Sequence, residues 1–281
     1  MTLRHAPFFL TGAPKSGTTW LGKLLDAHPE ITCRGEACVH HFGLRMVEAS
    51  KSYNDLLAKR REVITDSNDF PPMKWADVMA LMRHFIELRL EAIADPAKPG
   101  LRFLGEKDPE HGMHLKVLND LFPEGKVIHI IRDGRAVFVS AWHHNVRSQD
   151  PNLKRLGFDD FLDITAMEWA DRVQRAREAG KLLGDRYFEL RYEDLAAEPE
   201  HWAGRVFDFL GARADAATVK ACVESASFEK LSRGRKPGHE DKASFFRKGV
   251  PDDWKNELSP AQVQRFGGLA GPVLMALGYT A

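Results

Sequence analysis

Between Phe8 and Trp20 the chain reads Phe-Phe-Leu-Thr-Gly-Ala-Pro-Lys-Ser-Gly-Thr-Thr-Trp. Gly12 and Gly17 keep the spacing of a P-loop, G-x-x-x-x-G-K-[ST], whose lysine reaches the terminal phosphates of a nucleotide. Here Thr18 and Thr19 follow the second glycine, and the cation stands inside the loop at Lys15. An apolar run precedes the loop, and Trp20, Leu21, Leu24 and Leu25 follow at helical spacing, so the local order is strand, turn, helix. Backbone N–H groups at such a helix start cradle an anion, with the helix dipole in support. A second candidate site follows residues 127–131, which run into Arg132-Asp133-Gly134-Arg135, with Ser140 two turns along the next helix. A nucleoside triphosphatase places a magnesium-binding acid at a strand end of this kind. An arginine there instead offers a planar fork for phosphate oxygens, and Ser140 adds a hydroxyl donor. Read alone, Arg132 and Asp133 are also compatible with a local ion pair and helix cap.

The string Pro14-Lys15-Ser16-Gly17-Thr18-Thr19-Trp20 closely resembles the 5′-phosphosulfate loop of sulfotransferases, which use 3′-phosphoadenosine 5′-phosphosulfate (PAPS) as sulfuryl donor. The resemblance implies that Lys15, Ser16, Gly17, Thr18 and Thr19 bind the 5′-phosphate and that Trp20 packs on adenine. It also makes Arg132 and Ser140 look like the 3′-phosphate site. The segment from Phe246 to Lys255 is similar to the R-K-G…D-W-K signature of cytosolic sulfotransferases, with Pro251-Asp252 where that family usually carries a glycine. Arg247, Lys248 and Gly249 would then close over the 3′-phosphate, as part of a mobile lid at about residues 233–250 that also carries Arg233, Arg235 and Lys236. Tyr192 matches a tyrosine that contacts adenine in those enzymes, and Ser227-Phe228 matches a nucleotide-contacting pair.

Sulfuryl transfer needs a base for the acceptor and cations for charge on the leaving oxygen. Lys15 is the first cation. Lys107, in Gly105-Glu106-Lys107-Asp108-Pro109, is the second, because this segment resembles the Lys-Asp-Pro of tyrosylprotein sulfotransferases and the Glu-Lys-Thr-Pro of heparan sulfate sulfotransferases. Two residues compete as base. Glu36 falls, counting from Lys15 without gaps, at the glutamate base of the tyrosylprotein enzymes, although their doubled glutamate is replaced here by Glu36-Ala37. His111 lies near where cytosolic enzymes carry a base histidine, at a spacing two residues longer. Glu36 is preferred.

The elements that must position these groups alternate. Apolar runs at 8–10, 31–33, 103–104, 127–131 and 187–190 read as buried strands. Helical patterns cover 20–28, 78–94, 114–121, 135–145, 158–183 and 201–210. The pattern predicts a single α/β domain, residues 1–281, with a central mainly parallel sheet of about five strands flanked by helices. The resemblance implies a P-loop NTPase-like sulfotransferase fold. Ligands of such sheets bind at the carboxyl ends of the strands, so Gly12 to Thr19, Glu106-Lys107, Arg132 and Arg191-Tyr192 should converge on one crevice. Polar stretches at 51–74 and 234–248 read as excursions from the core.

Lys plus Arg and Asp plus Glu both number 40, so net charge gives no steering toward nucleic acid or membrane, and any anion site is local. No run of about 20 apolar residues suits a membrane span, and the start of the chain is too short and polar for a signal peptide. Cys33, Cys38 and Cys222 form no disulfide framework, which suggests a cytoplasmic protein. Cys33, Cys38, His40 and His41 lack a second ligand cluster, so no metal is expected. The expected activity is in-line transfer of sulfuryl from PAPS, releasing adenosine 3′,5′-bisphosphate, to the hydroxyl or amine of a small-molecule, lipid or glycoside acceptor. Residues 39–75 and 142–161 would shape its pocket. The alternatives are a P-loop nucleotide kinase and a non-catalytic nucleotide-binding protein.

Overall fold

The computed structural model describes residues 3–63, 70–148 and 156–280. Five strands, β1 (Ala6–Thr11), β2 (Ile31–Gly35), β3 (Phe103–Lys107), β4 (Lys126–Ile131) and β5 (Tyr187–Arg191), pair in parallel in the order β2-β3-β1-β4-β5. A central parallel strand is covered on both faces, which is why β1 reads as a near-continuous apolar run, buried from Pro7 to Thr11. Its side chains still alternate. Phe8 and Leu10 enter one core cluster and Phe9 another.

Twelve helices surround the sheet among the described residues: α1 (Thr18–Asp26), α2 (Val39–Val63), α3 (Trp75–Glu91), α4 (Leu115–Leu121), α5 (Gly134–Arg147), α6 (Phe158–Gly180), α7 (Tyr192–Ala197), α8 (Pro199–Leu210), α9 (Ala216–Ser225), α10 (Phe228–Leu231), α11 (Trp254–Glu257) and α12 (Pro260–Ala276). On one face, Leu21, Leu24 and Leu25 of α1 pack with Val206 and Phe207 of α8 and Val219 of α9 against Phe8 and Leu10. On the other, Ile86 and Leu90 of α3 and Leu118 and Leu121 of α4 meet Phe9 and Val127. A third cluster joins Phe138 of α5, Trp169 of α6 and Phe266 and Leu274 of α12 to Ile131. Burying one such side chain is worth about 1.5–3 kcal/mol, so these layers hold the strand ends in place. None of the described helices is long and apolar enough to cross a membrane.

Residues 51–63, read from sequence as part of a polar excursion, are helical. They continue α2, which buries only Val39 and Gly43 and so carries too thin an apolar stripe to be recognised as a helix. Residues 64–69 of that stretch, and 149–155 of the other expected acceptor-side stretch, lie outside the described residues. The parallel register brings the strand ends into line: Leu10 is opposite Lys107, Gly35 opposite Lys107, Thr11 opposite His129 and Ile131 opposite Arg191. Every loop singled out in the sequence therefore leaves the same edge of the sheet.

Candidate active site

The loop after β1 turns sharply over the sheet. A Cβ on Gly12 would lie 2.3 Å from the Ile130 carbonyl oxygen, so only glycine lets the chain pass. Lys15 takes φ +72°, a left-handed conformation unusual for a lysine, and Gly17 takes φ +99° at the start of α1. A Cβ on Gly17 would lie 2.5 Å from the Tyr192 ring. No side chain caps α1 and its first turn holds no acid, so its leading amides and dipole are open to an anion. The Ser16 hydroxyl is buried without a partner beside them. Burial pulls the Lys15 ammonium down to about 8; Arg147 and Lys107 add to the fall, and Glu36 opposes it. Its Nζ lies 5.3 Å from the centroid of the Phe245 ring.

The second cationic pole stands at the end of β4. Asp133 does not pair with Arg132. Its carboxylate accepts the Arg135 amide at 2.9 Å and the Arg135 side chain at 3.0 and 2.8 Å, all of it buried. The helix cap is thus Asp133 with Arg135, and Arg132 is left to the cavity. Arg132 lies 4.4 Å above the Tyr192 ring, donates to the Lys15 carbonyl at 3.3 Å and keeps its buried Nε without a partner. Tyr192 also meets Trp20 edge-on at 5.3 Å, and the Trp20 indole N–H donates to Ala226 at 3.0 Å. Trp20, Tyr192 and Phe228 form an aromatic wall of the same cavity, which Ser140 also lines. Ser227 does not line it: its hydroxyl caps α10 by accepting the Lys230 amide.

The catalytic candidates separate into two layers. Glu36 is exposed at the cavity rim, and the Lys107 ammonium donates to its Oε1. His111 lies beneath. The turn Pro109–Met113 points its ring into the core, where it is 2% exposed, edge-on to Phe9 at 5.2 Å and 3.5 Å from Oε2 of Glu106. His111 therefore has no access to an acceptor in the cavity.

Segment 232–253 forms an arch of irregular chain whose Pro237, residues 244–250 and Asp253 line the cavity. Arg235, carried by the expected lid, turns inward and donates to the carbonyls of Arg247 (2.9 Å) and Phe246 (2.6 Å). Arg147, at the end of α5, donates to the Ser244 carbonyl at 2.6 Å. Arg247 and Lys248 line the cavity, but their charges are already met. Arg247 pairs with Glu240, Asp253 and Glu257, and Lys248 with Asp253. His143, Glu240 and Glu257 are close enough to share a metal ion, and the Arg247 guanidinium sits among them. Arg147 and Phe245 were missed in the sequence. Ser140, His143, His144 and Arg147 fall at i, i+3, i+4 and i+7 on α5, a one-face signal that could have found Arg147.

The whole cavity measures about 640 Å³, and its lining includes Lys15, Glu36, Glu110, Arg132, Gly249 and Trp254. The model of the sulfotransferase family matches residues 7–216. Omega-hydroxy-beta-dihydromenaquinone-9 sulfotransferase Stf3 of Mycobacterium tuberculosis is 36% identical over 107 residues, 37% of this chain, which spans 28% of that protein's length. Protein-tyrosine sulfotransferase 1 of Danio rerio is 26% identical over 96% of this chain and 71% of its own. Cytosolic sulfotransferase 17 of Arabidopsis thaliana is 27% identical over 98% and 76%. Among solved structures, mouse sulfotransferase SULT7A1 complexed with PAP superposes with a TM-score of 0.60 at 19% identity, covering 96% of this chain and 84% of that one, a likeness of fold.

Proposed function

This chain belongs to the sulfotransferase family, and from that premise we propose that it moves the sulfuryl group of PAPS to an acceptor hydroxyl or amine by in-line transfer. The observation that carries the reading is the pairing, in one cavity, of two cationic poles without a free carboxylate at the end of β4. The strand-end acid a magnesium-dependent kinase would use, Asp133, is locked onto Arg135. The residues fit a nucleotide phosphorylated at both ends. The open amides of α1, the unpartnered Ser16 hydroxyl and Lys15 suit the 5′ end, with Thr18 and Thr19 beside them. Arg132, with its unpartnered Nε, and Ser140 suit the 3′-phosphate, with Gly249 and the Arg247-Lys248 pair closing from the lid. Trp20, Tyr192 and Phe228 suit a purine between them.

Bound there, the donor supplies a sulfuryl group linked to phosphate through one bridging oxygen. Glu36 takes the proton of the acceptor as the new bond to sulfur forms. The bond from sulfur to the bridging oxygen breaks, and Lys15 meets the charge returned to that oxygen. In place of the leaving-oxygen role expected for it, Lys107 holds the Glu36 carboxylate toward the acceptor, since its ammonium donates to Glu36 and it does not line the cavity. The scheme uses no metal ion. The acceptor class we favour is a small molecule, lipid or glycoside entering over Glu36, and segment 233–250 is the lid that opens for nucleotide exchange.

Calorimetry with adenosine 3′,5′-bisphosphate and ATP, followed by bisphosphate release from PAPS with a panel of alcohols, phenols and amines, tests this. Tighter binding of the bisphosphate is expected, with release slowed about 10²–10⁴-fold in Glu36→Gln and at least as much in Lys15→Ala. Tighter binding of ATP would support a kinase instead, and bisphosphate binding without turnover a non-catalytic protein. Full activity in Glu36→Gln would remove Glu36 as base.

A further inference from the structure

The turn carrying Glu36 is strained and short. Only Glu36, Ala37 and Cys38 separate β2 from α2, and two of the three are left-handed without being glycine, Glu36 at φ +47° and Cys38 at φ +52°. Each such residue costs on the order of 1–3 kcal/mol and persists only where its surroundings over-determine it. Two contacts supply that constraint. The Glu36 amide donates to the Lys107 carbonyl at 3.2 Å, continuing the sheet ladder, and the Ala37 amide donates to Oε1 of Glu106 at 2.8 Å.

Glu106 is the unusual partner. It lies in β3, one position before Lys107, with its side chain 5% exposed. A buried carboxylate is expensive unless it is paired and hydrogen-bonded. Its Oε2 faces Nε2 of His111, which is as deeply buried. Burial alone would raise the Glu106 carboxyl, yet the contacts from His111 and from the Ala37 amide hold it below the ordinary carboxylate value. Adjacent residues of β3 therefore grip the Glu36 turn at two points, Lys107 at its carboxylate and Glu106 at the amide that follows it.

We propose that Glu106 is a positioning residue for the transfer reaction: through the Ala37 amide it clamps the left-handed turn that aims Glu36 into the cavity, with the His111 ring packed 3.5 Å from its other oxygen. The proposal rests on the reading of Glu36 as base, but the clamp is measurable without turnover. Hydrogen exchange at the Ala37 amide reads it directly. In the wild-type protein that amide is slow to exchange, and in Glu106→Leu it exchanges at least about tenfold faster. In the same variant kcat falls about 10–100-fold, because misplacing a catalytic group by an ångström is enough for such a loss, whereas KM for the donor and bisphosphate affinity stay within about twofold. Glu106→Gln, which keeps an oxygen to accept from Ala37, restores kcat to within about threefold of wild type.

An unprotected Ala37 amide in the wild-type protein overturns the clamp whether or not the Leu variant folds. So does wild-type kcat in Glu106→Leu, or an equal loss of bisphosphate affinity, which would mean a general disturbance of the fold. A Gln variant as slow as the Leu variant would assign the effect to the charge and reject the hydrogen bond. Full activity in Glu36→Gln removes the base reading alone and leaves the exchange result standing.

Discussion

Lys15 combines a cost with a use. Its left-handed backbone, φ +72°, costs on the order of 1–3 kcal/mol. In return the ammonium leaves the loop on the cavity side, between Phe245 and the rim that carries Glu36. Burial there, reinforced by Arg147 and Lys107 and opposed by Glu36, lowers it to about 8. The sign follows. A lysine shifted downward carries its charge below about 8 and loses it as pH rises through that value. An anionic donor prefers the charged form, so kcat/KM for PAPS should fall above pH 8 by about tenfold per unit. Lys15→Arg should abolish this alkaline limb, since guanidinium stays charged, while lowering the rate at neutral pH because a planar fork does not replace a point charge. A limb that survives in Lys15→Arg would belong to another group.

The elements explain why most of this was legible and why some was not. Central parallel strands must be apolar on both faces, so β1 and β4 stand out in the sequence, and the carboxyl-end rule then gathers Lys15, Glu36, Lys107, Arg132 and Tyr192 at one edge. Helix α2 had no comparable signal, because it packs through only two buried positions. Helix α12 does carry one, Ser259-Pro260 with Gln262 as a capping box before Phe266, Ala270 and Leu274. Burial of His111 depends on a five-residue turn, and Arg247 finds acids 7, 6 and 10 residues away. Neither arrangement follows a helical or strand period. The arch that lines the cavity owes its shape to Arg147 and Arg235, which donate to its carbonyls. It contributes nothing to the three core clusters before Trp254. Arg235→Ala should therefore leave the melting temperature within about 2 °C of wild type, because local opening is decoupled from global unfolding. Limited proteolysis within 233–250 should become several-fold faster, and bisphosphate should dissociate about tenfold faster. Unchanged cleavage and dissociation rates would mean the arch is held elsewhere.

At the scale of the whole molecule, charge is balanced overall yet concentrated locally. Forty acids offset forty bases, but Lys15, Arg132 and Arg147 meet around one cavity. Such a field attracts a multiply charged anion, and Arg147 and Lys107 already press on the Lys15 ammonium. The cavity also touches two of the cores: Trp20 and Tyr192 pack on the first, and Ala136, Val139 and Trp254 belong to the second. A ligand spanning it should stabilise the fold as one unit. At 100 times its Kd, bisphosphate should add about 2.7 kcal/mol, a rise in melting temperature of roughly 5–10 °C for a chain of this size. ATP at the same concentration should give a smaller shift, because Arg132 and Ser140 would lack their phosphate. Arg132→Ala should bring the bisphosphate shift down to that of ATP. Added salt should act in the same direction, shrinking the ligand shift, because screening weakens the attraction. If Arg132→Ala retains the full bisphosphate shift, the second pole lies elsewhere in the cavity, and the 3′-phosphate assignment falls with it.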